Sequence, residues 1–157
     1  MVQIAVVGDG KATGATYDLA VEVGAEIAKA KAVLVCGGLG GVMEACAKGA
    51  KENGGLTVGI LPGADSSEAN PYIDVKVISA MSHARNAIIA RTADAVIAVG
   101  GKYGTLSEVA LALKSGKPVI LLEVSGGLFQ DIELEGVIKA KNPAEAVKIA
   151  LKKSSIQ

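Results

Sequence analysis

The amino-acid sequence predicts a single-domain α/β protein built on a doubly wound parallel sheet. Three observations carry this. The chain has 157 residues, enough for one ordinary domain with a core that needs neither disulfides nor metal. Short aliphatic runs ending near glycine alternate with helical stretches along the whole length. Several runs, such as Val96-Ile97-Ala98-Val99, are continuously apolar, as expected of strands covered on both faces.

The elements follow in order. The first strand, at 3–7, ends at Gly8-Asp9-Gly10, and a helix is expected over 15–30. A strand at 32–36 runs into Gly37-Gly38-Leu39-Gly40-Gly41, and a helix follows over 42–53. Strands at 57–61 and 74–78 flank an irregular stretch, 62–72. A helix over 83–92 precedes the strand at 94–99. The helix over 106–115 places Leu106, Val109, Ala110 and Leu113 at the spacing of one buried face. A strand at 118–123 and an irregular stretch, 124–135, lead to the last helix, 143–153. That helix opens on Asn142-Pro143-Ala144-Glu145, a cap residue, a first-turn proline and a glutamate at the third position. The sequence shows no repeat, linker or low-complexity tract.

Composition excludes several function classes. Lys plus Arg is 16 and Asp plus Glu is 16; zero net charge argues against coating DNA or RNA. Tyr17, Tyr72, Tyr103 and Phe129 are the only aromatics, too few for a single-strand stacking platform. Cys36 and Cys46 lie in apolar surroundings and read as buried free thiols of a reducing compartment. His83 is the only histidine, which disfavours a structural zinc site or a Ser-His-Asp triad. The expectation is a cytoplasmic protein with no targeting segment, no membrane span and no nucleic-acid partner.

Three loops at strand ends are rich in glycine: Gly8-Asp9-Gly10, Gly37 to Gly41, and Gly100-Gly101-Lys102-Tyr103-Gly104-Thr105. Each leads toward a helix start. Glycine lets backbone N–H groups approach an anion, and the helix dipole adds positive potential. One such loop would be an ordinary turn; three on one sheet edge point to a phosphate or nucleotide ligand. The second loop carries Met43 where G-x-G-x-x-G needs glycine, and no P-loop motif is present. Nicotinamide or flavin dinucleotide binding and a P-loop ATPase are therefore disfavoured.

Arginine is scarce: Arg85 and Arg91 against fourteen lysines. Its planar fork suits bidentate phosphate or carboxylate recognition. Six residues apart on a helix, the two point about 120° away from each other. Arg85 is placed to face a ligand, or else to make a surface salt bridge. Arg91 complements the helix dipole or pairs with Asp94. Thr105-Leu106-Ser107-Glu108 reads as a capping box, which makes Glu108 structural. If the loop before it cradles a phosphate, Glu108 becomes a carboxylate one turn beyond, able to stabilise a cation or activate water. Glu44 reads as a first-turn acid. Asp9 contacts a ribose hydroxyl or makes a turn, His83 caps or packs, and Tyr103 covers a base or fills a dimer surface.

These residues resemble the Lonely Guy (LOG) family, once mislabelled lysine decarboxylases, and the related molybdenum-cofactor carrier proteins. The resemblance runs from the first strand through 118–123. It rests on Gly37-Gly38-Leu39-Gly40-Gly41-Val42-Met43 with Gly54-Gly55 and Gly59-Ile60-Leu61-Pro62, on Arg85 through Asp94, and on Tyr103-Gly104-Thr105-Leu106-Ser107-Glu108. The last matches the end of P-G-G-x-G-T-x-x-E. The resemblance implies a Rossmann-like fold, Arg85 and Glu108 as catalytic residues, and Gly101, Gly104 and Thr105 as the phosphate turn. It implies hydrolysis of the N-glycosidic bond of a nucleoside 5′-monophosphate, with no cofactor or metal, in a homodimer or larger oligomer. Gly100 replaces the family proline, Lys102 the second glycine and Asn86 the lysine after the arginine, changes that resemble the carrier branch; Lys102 either adds a phosphate contact or crowds the turn.

The expected site is then Arg85 and Glu108 for catalysis, with Gly8, Gly37, Gly38, Gly41, Gly101, Lys102, Gly104 and Thr105 holding the ligand. The leading expectation is a phosphoribohydrolase. The alternative is a non-catalytic carrier of a nucleotide or molybdenum cofactor.

Overall fold

The aliphatic runs form strands because each is covered on both faces. A computed structural model describes residues 1–155. It contains strands β1 (Gln3–Gly8), β2 (Val33–Cys36), β3 (Thr57–Leu61), β4 (Val75–Ile78), β5 (Ala95–Val99), β6 (Val119–Leu122) and β7 (Val137–Lys139). They make one sheet in the order β4-β3-β2-β1-β5-β6-β7. Every pairing is parallel, with Ile4 beside Leu34 on one side of β1 and Ala5 beside Val96 on the other. This is the Rossmann-like doubly wound architecture, with the strand order reversing between β1 and β5.

Helices cover the two faces. Helices α1 (Gly14–Lys29), α2 (Val42–Glu52) and α5 (Pro143–Ser154) bury Val23, Ile27, Cys46 and Val147 against Ile4, Val6, Leu34 and Ile97. Helices α3 (Asn86–Thr92) and α4 (Tyr103–Lys114) bury Ile89, Val109 and Ala112 against Ala5, Val7 and Val96. Cys36 and Cys46 are buried free thiols. The Asn142 side chain accepts the Glu145 N–H at 2.8 Å, as the sequence at 142–145 leads one to expect.

Helices α1 and α2 meet backbone to backbone. A Cβ on Gly24 would collide with the Cys46 carbonyl, and one on Gly49 with the Val21 carbonyl. Both glycines lie inside helices, where the residue costs about 1 kcal/mol against alanine. Close approach is the compensation.

Several boundaries differ from the sequence reading. The expected 83–92 helix is a 3-10 turn at Ser82–Arg85 followed by α3. Ala80 and Ser82 both have φ of 51°, and the Ser82 N–H donates to the Pro62 carbonyl at 3.0 Å, so the chain reverses sharply before a regular helix can start. Helix α4 starts at Tyr103 rather than 106, because Gly100 (φ 54°) and Gly101 (φ 116°) turn the chain early. Its buried face is Thr105, Glu108, Val109 and Ala112, with Ala110 exposed. Apolar spacing alone missed this because two polar residues occupy the stripe. Strand β7, only three residues long after Gly136 (φ 90°), followed a stretch read as irregular and was not expected. Arg91 makes no ion pair among the described residues; Asp94 instead accepts the Gln3 N–H at 2.8 Å.

Candidate functional site

The site lies where the strand order reverses, at the carboxyl ends of β1 and β5. The 3-10 turn before α3 folds Arg85 inward until the residue is 8% exposed. Gly37, the first residue after β2, makes room for it: a Cβ there would sit 2.8 Å from Arg85 Nη2. Of the two expectations for Arg85, the surface salt bridge gives way to a buried guanidinium, whose Nε has no hydrogen-bond partner among the described residues. A buried donor left unpaired costs about 1–3 kcal/mol.

Glu108 comes from the second turn of α4 and is also 8% exposed. The expected capping box is absent. With Lys102 at the cap position, Thr105 sits inside the helix and Glu108 lies too far along to reach back. Its carboxylate instead faces Arg85, with Oε1 4.0 Å from Nη1, too long for a hydrogen bond. Burial pushes the Glu108 carboxyl up to about 7, against the pull of Arg85. Burial also lowers the Arg85 value, opposed by Glu108 and Cys36.

The carboxyl therefore binds a proton more tightly folded than unfolded. Between its ordinary 4.5 and about 7 the native state holds the extra proton, so stability falls as pH rises through this window and levels off above it. Glu108→Gln, which cannot ionise, should match the wild type near pH 4.5 and exceed it increasingly up to about pH 7.5. Urea denaturation at a series of pH values checks this; a pH-independent difference would contradict it.

Arg85 and Glu108 open into one cavity of about 260 Å³. The β1 loop contributes Gly8, Asp9 and Gly10, and the start of α4 contributes Lys102, Gly104 and Thr105. Of the expected ligand residues, Gly8, Lys102, Gly104 and Thr105 line this cavity together with the two charged groups. Gly101 lines an adjoining cavity of about 220 Å³ with Thr13, Thr16, Gly126 and Gly127. The two cavities share Asp9 and Lys102, whose charged groups are 3.9 Å apart. Gly37, Gly38 and Gly41 form the support behind the wall: Gly37 lies against Arg85, Gly38 against Leu61 and Gly41 against the Asp9 carbonyl. A larger cavity, about 390 Å³, lies beside β6 and β7 over Leu121, Phe129 and Val137 and contains none of the glycine-loop residues.

Sequence reasoning missed three wall residues. His83 neither caps nor packs; it is exposed on the 3-10 turn and lines the cavity. Met43 and Asn86 line it as well. Asn86, 6% exposed, was visible only as a departure from a motif. Asp9 does make a turn, its carboxylate accepting the Lys11 N–H at 2.9 Å. Glu44 is a first-turn acid of α2 and accepts from the Tyr17 hydroxyl at 3.0 Å. Tyr103 is 78% exposed.

Gly104 is unusual among the helical glycines, since a Cβ there would meet no atom and its φ is ordinary. Gly104→Ala should therefore raise stability by about 0.5–1 kcal/mol while weakening ligand binding, because the methyl group projects into the cavity. Thermal denaturation and nucleotide titration of the same sample check both signs.

The α4 N-terminus has no side-chain cap and no acidic residue in its first turn, leaving its N–H groups for an anion. No group of three or more His, Cys, Asp or Glu suited to a metal ion occurs among the described residues. None of the described helices is long and apolar enough to cross a membrane.

The SLOG cluster4 family model matches residues 1–148. The chain is 35% identical over 133 residues to a probable cytokinin riboside 5′-monophosphate phosphoribohydrolase, LOGL9, of Oryza sativa subsp. japonica. That match covers 78% of this chain but only 57% of the rice protein. The fold superposes with a TM-score of 0.88 and 40% identity on the molybdenum cofactor binding protein of Rippkaea orientalis, covering 99% of this chain and 98% of that one. The molybdenum cofactor carrier protein of Chlamydomonas reinhardtii gives a TM-score of 0.85 at 36% identity, with 100% of both chains covered. Glycine loops, the arginine-led turn and the Thr105–Glu108 segment thus sit in a shared scaffold, and the chain belongs to the SLOG cluster4 family.

Proposed function

We propose that the protein binds a nucleoside 5′-monophosphate in the Arg85–Glu108 cavity and hydrolyses its N-glycosidic bond. The observation that carries this reading is the convergence of the two buried charged groups on one cavity, with Glu108 free of any capping role. The 5′-phosphate is placed at the α4 N-terminus by Thr105 and the Gly104 backbone, with Lys102 beside it. Gly8, Gly37, Gly38, Gly41 and Gly101 keep the backbone close enough to shape that cradle. The sugar then lies over Glu108, which is about 4.5 Å further along the helix axis than Thr105.

Cleavage breaks the bond between C1′ and the base nitrogen, and the base leaves with the bonding electrons. Positive charge develops on the ribose as an oxocarbenium-like centre, which the ionised Glu108 carboxylate stabilises. Water adds at C1′ to give ribose 5-phosphate, and its surplus proton is balanced by the one that the departing base takes up. Arg85, which lines the cavity, supplies the positive charge that faces the substrate. Because the carboxylate is the active form, kcat/KM should rise with pH through a midpoint near 7.

A second reading is favoured by a specific observation. The likeness to molybdenum cofactor binding and carrier proteins spans essentially both full chains, whereas the rice hydrolase is matched over part of its length. In that reading the same anion cradle holds the phosphate of a pterin cargo and Glu108 cleaves nothing. Both readings take the protein as a cytoplasmic homodimer or larger oligomer, which light scattering would test for size.

Incubation with a panel of nucleoside 5′-monophosphates, with free bases resolved by chromatography, separates the two. Base release supports the hydrolase. Retention of intact nucleotide across the panel, together with saturable binding of molybdenum cofactor, supports the carrier.

A further inference from the structure

The gap between Arg85 and Glu108 needs a physical cause. A buried guanidinium and carboxylate gain most by closing to a bidentate pair near 2.8 Å, yet here they stand 4.0 Å apart. A competing acceptor explains the gap. Arg85 Nη1 donates to Asn86 Oδ1. The Asn86 amide in turn donates through Nδ2 to Ser107 Oγ at 3.0 Å. The Ser107 hydroxyl donates to the Gly104 carbonyl at 2.7 Å.

The direction of this relay is fixed by chemistry. Arginine only donates, so the Asn86 oxygen must face it and the NH2 group must face Ser107. The Ser107 hydrogen is committed to Gly104, which leaves an oxygen lone pair for Asn86. The relay runs from the Arg85 turn to the first turn of α4, the same helix that carries Glu108. It ties together the two walls of the cavity.

We propose that Asn86 is a positioning residue: through Ser107 it holds the Arg85 guanidinium off Glu108, so that both groups stay open to the ligand. This adds to the proposed catalytic reading of the cavity, although the arrangement itself exists without substrate. Asn86 stands where the sequence departs from the Lonely Guy motif it resembles. Without it, Arg85 would swing onto Glu108 and fix the carboxylate in a closed ion pair.

The test reads the Glu108 carboxyl directly in ligand-free protein, by ¹³C NMR titration with the resonance assigned through Glu108→Gln. The other charged or titratable groups facing it are Arg85, Cys36 from β2, and His83, Asp9 and Lys102 on the cavity wall; all are unchanged in the variants. Asn86→Leu removes the acceptor and should lower the Glu108 midpoint by about 1–2 pH units as the pair closes. Asn86→Asp keeps an acceptor for Arg85 but adds a negative charge, and should raise the midpoint by about 1 unit. Ser107→Ala, at an exposed position, should lower it by a smaller amount. Opposite shifts in the leucine and aspartate variants support the proposal, since a merely structural residue would not split them. Shifts of the same sign, or none, overturn it. If Asn86→Leu does not fold, a rise in Asn86→Asp with a fall in Ser107→Ala supports the proposal, and any other pattern overturns it. Base release is measured separately on the wild type, so loss of the hydrolase reading leaves this result standing, and the reverse.

Discussion

Gly49→Ala should destabilise the protein by about 3 kcal/mol and lower Tm by about 9 °C. Substitution of glycine by alanine inside a helix ordinarily stabilises by up to about 1 kcal/mol. Here the new methyl group would overlap the Val21 carbonyl of α1. That oxygen belongs to a helix backbone and cannot rotate away. Relief requires α1 and α2 to separate along the contact that buries Ala20, Val23, Cys46 and Ala47. Gly24→Ala should behave alike, since its Cβ meets the Cys46 carbonyl. The exposed Gly104 supplies the contrast, where the same substitution stabilises. Thermal denaturation of the three variants side by side is the check, and an unchanged or raised Tm for Gly49→Ala would refute the close-packing account.

Glu108→Gln should reduce base release about 1000-fold while nucleotide affinity changes only a few-fold. The amide keeps the size of the carboxyl, so the cavity keeps its shape. What disappears is the negative charge that opposes the developing cation at C1′. The proposed phosphate cradle, α4 backbone N–H groups and Thr105, is untouched. Single-turnover rates and equilibrium titration of the same variant separate the two effects. A rate within ten-fold of the wild type would remove Glu108 from the chemistry.

Much of the sheet was legible because its strands are short, continuous aliphatic runs, and the three glycine loops marked their carboxyl ends. Arg85 stood out through the scarcity of arginine. The α4 face was misjudged because Thr105 and Glu108, both polar, occupy its buried stripe. Thr105 and Glu108 were nonetheless expected at the site, through the glycine loop and the motif they resemble rather than through periodicity. The capping box was misread for a related reason. Its residue types fit, but the helix start is set by positive φ at Gly100 and Gly101, which spacing does not encode. The contact between Asn86 and Ser107 carried no signal, because it joins residues 21 apart in sequence. Gly24 and Gly49 find their reason only in the facing helix, whose backbone a Cβ on either would strike.

The most direct test of the central claim is a ³¹P NMR time course with adenosine 5′-monophosphate and wild-type protein in equimolar amounts, so that even one slow turnover registers. The nucleotide signal is expected to be replaced by that of ribose 5-phosphate, with one free base per phosphate, and Glu108→Gln to leave the nucleotide bound and intact. If the wild type also holds the nucleotide unchanged, and every other nucleoside 5′-monophosphate tried behaves likewise, Arg85 and Glu108 form a binding site and the protein is a carrier.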